Sequence, residues 1–156
     1  MNVKTVNFVE ERVAVLEHHG PPSTINTSVA TFIEWRKSST LSPNDTSNTY
    51  GIAFSDPAQT KPDEFRFDIC GTVKQEIPDN PQGVVAKTIP GGRCAVIRHI
   101  GSTDTISDSV LPLYSEWLPG SGEQLRDFPC YFHYIKRMPS VPEHEQITDI
   151  YLPLKD

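Results

Sequence analysis

The sequence predicts an α+β fold in which one β-α-β-β unit is built twice, and three observations carry the prediction. RCAVIRHIG at 93–101 echoes RVAVLEHHG at 12–20, with Arg12/Arg93, Ala14/Ala95, Val15/Val96, His18/His99 and Gly20/Gly101 matched at a spacing of 81. The echo continues downstream: Thr24, Ile25, Ser28 and Val29 return as Thr105, Ile106, Ser109 and Val110, and Asp68-Ile69 as Asp149-Ile150. Both halves also show the same order of patterns, an apolar strand, an amphipathic helix and two further strands. Two copies at so long a period are not a solenoid; they are a duplicated half-domain, with halves at approximately 1–75 and 82–156 related by a pseudo-two-fold axis.

Each half opens with a short leading strand, VKTVNFV or GVVAKTI, which turns over at EE or PGG. An apolar, β-branched strand follows, Val13 to Leu16 and Cys94 to Ile97. After Gly20 or Gly101, small polar residues (Ser23 and Thr24; Ser102 to Thr105) offer helix N-caps. In the first helix Ile25, Val29, Phe32 and Ile33 form an apolar stripe, and in the second Ile106, Val110, Leu113, Tyr114 and Trp117 do. Pro112 within the second helix predicts a kink or a late start. Loop-forming runs then lead into TYGIAF and EFRFDICGTV, and into CYFHYIK and ITDIYLPL. Helices on one face of an antiparallel sheet complete the α+β architecture, with a central cleft expected along the pseudo-axis.

A net charge of −6 argues against nucleic acid as the main partner, since phosphate neutralisation needs clustered Lys and Arg. No basic-then-apolar leader and no membrane-length apolar run is present, which predicts a cytoplasmic protein. Cys70, Cys94 and Cys130 sit in apolar runs without metal-site spacing and read as reduced, buried thiols. The five histidines form no ligand pattern, so neither metal nor cofactor is expected.

FSDP (54–57), FRFD (65–68), PGGRCAVIRHIG (90–101), EWLPGSG (116–122), FPCYFHY (128–134) and DIYLPL (149–154) together resemble the GyrI-like small-molecule-binding family. That family takes in the DNA-gyrase inhibitory protein and the effector-binding domains of AraC-type and MerR-type regulators. The resemblance runs from about residue 3 to residue 154 and includes no DNA-binding helix-turn-helix, which implies a stand-alone member. It also implies a glutamate at the centre of the late strand, in a pattern like P-C-F-E-V-Y, facing a cationic ligand. Here the pattern reads PCYFHY, with Phe132 at the glutamate position.

Strand alternation puts Phe132 and Tyr134 on one face, which makes them the expected aromatic floor of the ligand cleft. Trp117 and Tyr114 from the second helix, and Trp35 from an edge of the first helix's stripe, are the further candidates for ligand contact. Glu116 is a candidate substitute for the missing carboxylate; Glu34, before Trp35, is the other. No catalytic residue is assigned: Cys130 and His133, three apart in a strand, point to opposite faces. The expected ligand is a small hydrophobic or amphipathic, drug-like molecule, with cationic ones mildly favoured by the acidic balance and by cation–π contact. Two rivals remain at this stage. One is an acidic inhibitor acting by contact with a basic protein partner such as a topoisomerase. The other is a hydrolase of reactive toxin-like molecules, which would need a cleft acid.

Overall fold

The computed structural model describes residues 2–156, and the chain separates into two compact units, Glu10–Pro90 and Met1–Val9 with Gly91–Asp156. Each has the α+β architecture expected of a repeat half.

In the unit spanning Glu10–Pro90, four antiparallel strands run in the order β3 (Thr49–Ile52), β4 (Arg66–Thr72), β2 (Glu11–His19) and β5 (Val85–Ile89). Helix α1 (Ile25–Ser39) packs on one face, where Phe32 and Trp35 meet Ala14, Ile69, Val73 and Val84. Its buried stripe is Phe32, Trp35 and Arg36, while Ile33 is 38% exposed. The expected stripe was therefore rotated by about one residue, roughly 100° on a helix. Trp35 belongs to the core rather than to an edge.

The other unit repeats this order as β7 (Tyr131–Lys136), β8 (Ile147–Pro153), β6 (Gly92–Ile100) and β1 (Lys4–Phe8). Around Pro112 its helix changes character. It runs as α2 (Ser107–Pro112), a π-helical turn (Leu113–Trp117) and α3 (Leu118–Ser121). The repeat locates the cause. Ser28/Ser109 and Val29/Val110 keep the spacing of 81, whereas Glu34/Glu116 and Trp35/Trp117 stand 82 apart. One extra residue lies between these pairs, and a wider turn directly after proline, which offers no N–H, accommodates it.

The leading strands do not join their own halves. β1 pairs with β6 from Lys4↔Val96 to Phe8↔Gly92, and β5 pairs with β2 from Val85↔Val15 to Ile89↔Glu11. Each repeat thus lends its first strand to the other unit, with the chain passing over at Val9/Glu10 and at Pro90/Gly91.

A histidine clamps strand to helix identically in both units. His18 Nε2–H donates to Pro21 O (3.0 Å), and its Nδ1 hydrogen-bonds the Ser28 hydroxyl (2.7 Å). His99 does the same with Ser102 O (2.9 Å) and Ser109 (2.7 Å). Gly20 and Gly101 follow at φ +126° and +118°, a backbone conformation few other residues adopt. These hydrogen bonds account for two of the repeat's matched pairs, His18/His99 and Ser28/Ser109.

Candidate functional site

Phe132 and Tyr134 alternate onto one face of β7, opposite Ile150 and Thr148 of β8. Ile150 stands opposite Ile97 and Thr148 opposite His99, so this is the face that His99 ties to the helix. The two rings lie 6.4 Å apart, tilted by 46°. Phe132 is 8% exposed and Tyr134 is half-buried. Tyr114, in the π-helical turn, makes a side-chain hydrogen bond to Cys130 at the root of the same strand. Trp117, one π turn on, is half-buried, unlike its fully packed counterpart Trp35. Phe132, Tyr134 and Tyr114 therefore cluster around β7.

Trp35 and Glu116 do not join that group. Trp35 is 2% exposed and stacks on Phe32, with ring centroids 5.7 Å apart. Glu116 is exposed on the flank of its helix that overlooks β6, where it lines a cavity of about 530 Å³ with Asp108, Pro112, Ile97 and Ile100. A second cavity, of about 550 Å³, lies between the C-terminal end of α1 and the start of β3, lined by Thr40, Leu41, Asn48 and Thr72 among others. The β7 aromatics line neither of these two cavities. Glu34 is exposed on α1.

The opposite faces of the sheets carry the charge. Asp68, fully buried, receives Arg66 and Lys87 (each 3.3 Å), and Lys87 also bonds Glu17. Those contacts, first that from Lys87 and then that from His19, hold the Glu17 carboxyl down at about 2. Asp149 pairs with Arg98 at 2.8 and 3.1 Å. The aspartates matched by the repeat are thus both ion-paired. His133 faces Asp149 across the ladder, and burial lowers its pKa against the pull of that carboxylate.

Burial pushes the Cys130 thiol up to about 12, and Cys70 is likewise raised well above the usual thiol value. All three cysteines are free and buried, and the raised values keep the Cys70 and Cys130 thiols protonated at neutral pH. Among the described residues, no group of three or more His, Cys, Asp or Glu could hold a metal ion. Among the described residues, no helix is long and apolar enough to cross a membrane.

Two features were not anticipated. Arg36, 3% exposed, donates to Thr49 (2.8 Å), Asn44 (2.9 Å) and Ser42 (3.3 Å), fixing the loop that leads into β3. Its place four residues beyond Phe32, one helical turn on, was the available signal. Tyr131 stacks on Tyr151 (5.0 Å, 3°) while Phe8 meets both edge-on, so Phe132's neighbour in sequence belongs to a separate cluster on the other face.

The model of the GyrI-like small molecule binding domain matches residues 1–155. This chain belongs to that family. It is similar to the "Probable transcriptional regulator YgiV" of Escherichia coli strain K12, at 47% identity over 154 residues, covering 99% of this chain and 96% of that protein. In structure it is similar to the EcmrR C-terminal domain, with a TM-score of 0.79 and 17% identity, covering 99% of this chain and 98% of that one. It is also similar to SAV2435 in a structure bound to tetraphenylphosphonium, with a TM-score of 0.62 and 11% identity over 99% and 94% of the two chains. The expected family and fold class are thereby shown, and this GyrI-like domain is one of a small-molecule-binding family.

Proposed function

We propose that this GyrI-like domain binds a small aromatic or amphipathic molecule on the helix-side face of β7, for sensing or sequestration. The observation that carries the reading is the pair Phe132 and Tyr134, adjacent on one face and tilted at 6.4 Å, with Tyr114 anchored to the same strand. Three aromatic rings supply apolar area and quadrupole faces for a flat ligand, and two phenol hydroxyls supply the polar contacts that orient it. With phenylalanine where the family pattern has glutamate, a cation is held by the aromatic faces and not by a carboxylate, at roughly 0.5–2 kcal/mol per good contact. Tetraphenylphosphonium, the ligand in the SAV2435 structure, is an aromatic cation of this kind and serves as the first probe.

The test is thermal unfolding with tetraphenylphosphonium, a neutral aromatic of similar size and an anionic one, on wild type, Phe132→Ala and Glu116→Gln. A ligand at 100 times its Kd stabilises by about 2.7 kcal/mol. Tetraphenylphosphonium should raise the Tm of the wild type and of Glu116→Gln, and the shift should vanish in Phe132→Ala. No shift from any of the three probes, or an undiminished one in Phe132→Ala, would overturn the reading.

A further inference from the structure

The cavity of about 550 Å³ at the C-terminal end of α1 is lined wholly by residues of the unit spanning Glu10–Pro90. Its walls are held by the chain itself. Arg36 ties the loop at 42–49 through Ser42, Asn44, Thr49 and the Asn48 carbonyl (3.4 Å). Asn48 and Thr72 exchange two hydrogen bonds at 3.0 Å, Asn48 N–H to the Thr72 hydroxyl and Thr72 N–H to Asn48 O. Ser47 N–H donates to Pro43 O at 2.9 Å, which closes the loop on itself. Walls fixed before binding lose little conformational entropy when the cavity is filled.

Thr40 is the strained member of that wall. It caps α1 at φ +60°, and among the described residues no other non-glycine residue has a positive φ. A β-branched side chain is disfavoured in this left-handed conformation, where glycine or asparagine is usual. The repeat supplies the control. Beyond the added residue the halves match at a spacing of 82, and Thr40 falls on Gly122, which caps α3 at φ +76°. Glycine therefore serves the fold at this cap, and threonine brings strain that the fold does not require. What threonine adds is a hydroxyl and a methyl group at the cavity, and backbone strain of this kind concentrates at ligand sites.

Two opposite charges line the same cavity, Glu11, half-buried, and Lys74, exposed. The β2–β4 ladder reaches Val13↔Thr72 and is extended by Val73 N–H to Arg12 O (3.1 Å), which brings Glu11 level with Lys74. Glu17, Asp68, Glu123 and Asp149 are each held by a lysine or arginine, yet among the described residues no ion pair joins Glu11 to Lys74. A simple anion or cation would be attracted by one of these groups and repelled by the other. A molecule with an ammonium and a carboxylate a few bonds apart satisfies both. We propose that this cavity binds such a zwitterion, an α-amino acid or a short peptide with free termini. Its ammonium meets Glu11, its carboxylate meets Lys74, and an aliphatic side chain lies against Leu41, Pro43 and Val73. The Thr40 hydroxyl donates to Ser39 O (2.6 Å), so its oxygen is set to accept from the ligand's N–H. The site uses none of the β7 aromatics and stands independently of the small-molecule reading.

The probes are L-leucine and the dipeptide leucylleucine, titrated by calorimetry into the full-length protein. N-acetyl-L-leucine and L-leucinamide, which carry one charge each, are the comparisons. At least one zwitterion should bind roughly tenfold or more tightly than either blocked form, with the advantage shrinking at high salt, and the tighter of the two identifies the size the cavity takes. Glu11→Gln and Lys74→Met should each weaken that binding by about tenfold. Thr40→Gly should also weaken it while keeping or raising the unfolding temperature, a combination that a purely structural cap does not give. All three variants should respond to tetraphenylphosphonium as the wild type does. Failure of both zwitterions to bind, equally tight binding of a blocked form, or undiminished binding by the variants would each overturn the proposal.

Discussion

At the scale of single residues, the matched histidines explain why the repeat preserves serine ten residues on. Each hydroxyl satisfies a buried imidazole nitrogen, and a buried acceptor left without its donor costs about 1–3 kcal/mol. Ser28→Ala and Ser109→Ala should therefore each lower unfolding free energy by about that amount in urea titrations, with an unchanged m-value. If either is neutral, the clamp contributes nothing to stability. The clamp's residues were legible in the sequence, because identity at a fixed spacing exposed both members. Arg36 was not legible in this way: its role depends on where Ser42, Asn44 and Thr49 arrive through a loop, and no periodicity encodes that. Trp35 was misplaced because Ile33 was admitted to the stripe. A helix face is read as a mean direction, and one wrong member shifts that direction enough to exchange rim for core.

Among the elements, the order of strands and helices could be read from the chain, while the pairing of the leading strands could not. VKTVNFV and GVVAKTI announce strands through their β-branched residues, yet nothing local says which neighbour each will join. The choice lies in long-range packing. Phe8, at the end of β1, sets its ring edge-on to Tyr131 and Tyr151, with centroids 5.2 and 5.4 Å away. Phe8→Ala should accordingly destabilise the protein by roughly 2–4 kcal/mol, combining lost apolar burial with lost aromatic contact. A loss under about 1 kcal/mol would mean that the β1–β6 ladder holds without this anchor. The π-helical turn shows the converse case. Its cause, one extra residue, is visible once the halves are aligned, while Pro112 marks only where the helix changes. The added residue was taken up by widening the turn, and the helix continues through Trp117 to Ser121.

For the molecule as a whole, the buried and paired ionisable groups set how it responds to acid. Burial holds the His133 pKa below its ordinary 6.5, so the unfolded chain takes up this proton before the folded one does. Stability should fall as pH drops below about 6.5. Glu17, ordinarily 4.5 and held at about 2, adds stability that is complete above its unfolded value and is lost as pH falls from 4.5 towards 2. Unfolding temperatures measured from pH 8 to pH 3 should decline in both windows, and Glu17→Gln should flatten the lower one alone. An unaltered lower limb in that variant would show that the Lys87 contact does not stabilise the fold.

The exchange of leading strands carries a consequence for how such a chain could have come to exist. A peptide of one half's length has a strand to give and an edge that lacks one, and neither need can be met within a single copy. Two copies swapping strands would satisfy both, so a half-length chain would have needed to pair as a reciprocal homodimer before any tandem fusion. Once the partners shared one chain, they no longer had to be identical. One could pack Ile77 against its helix side while the other kept Ile100 64% exposed, a difference that a symmetric dimer cannot evolve.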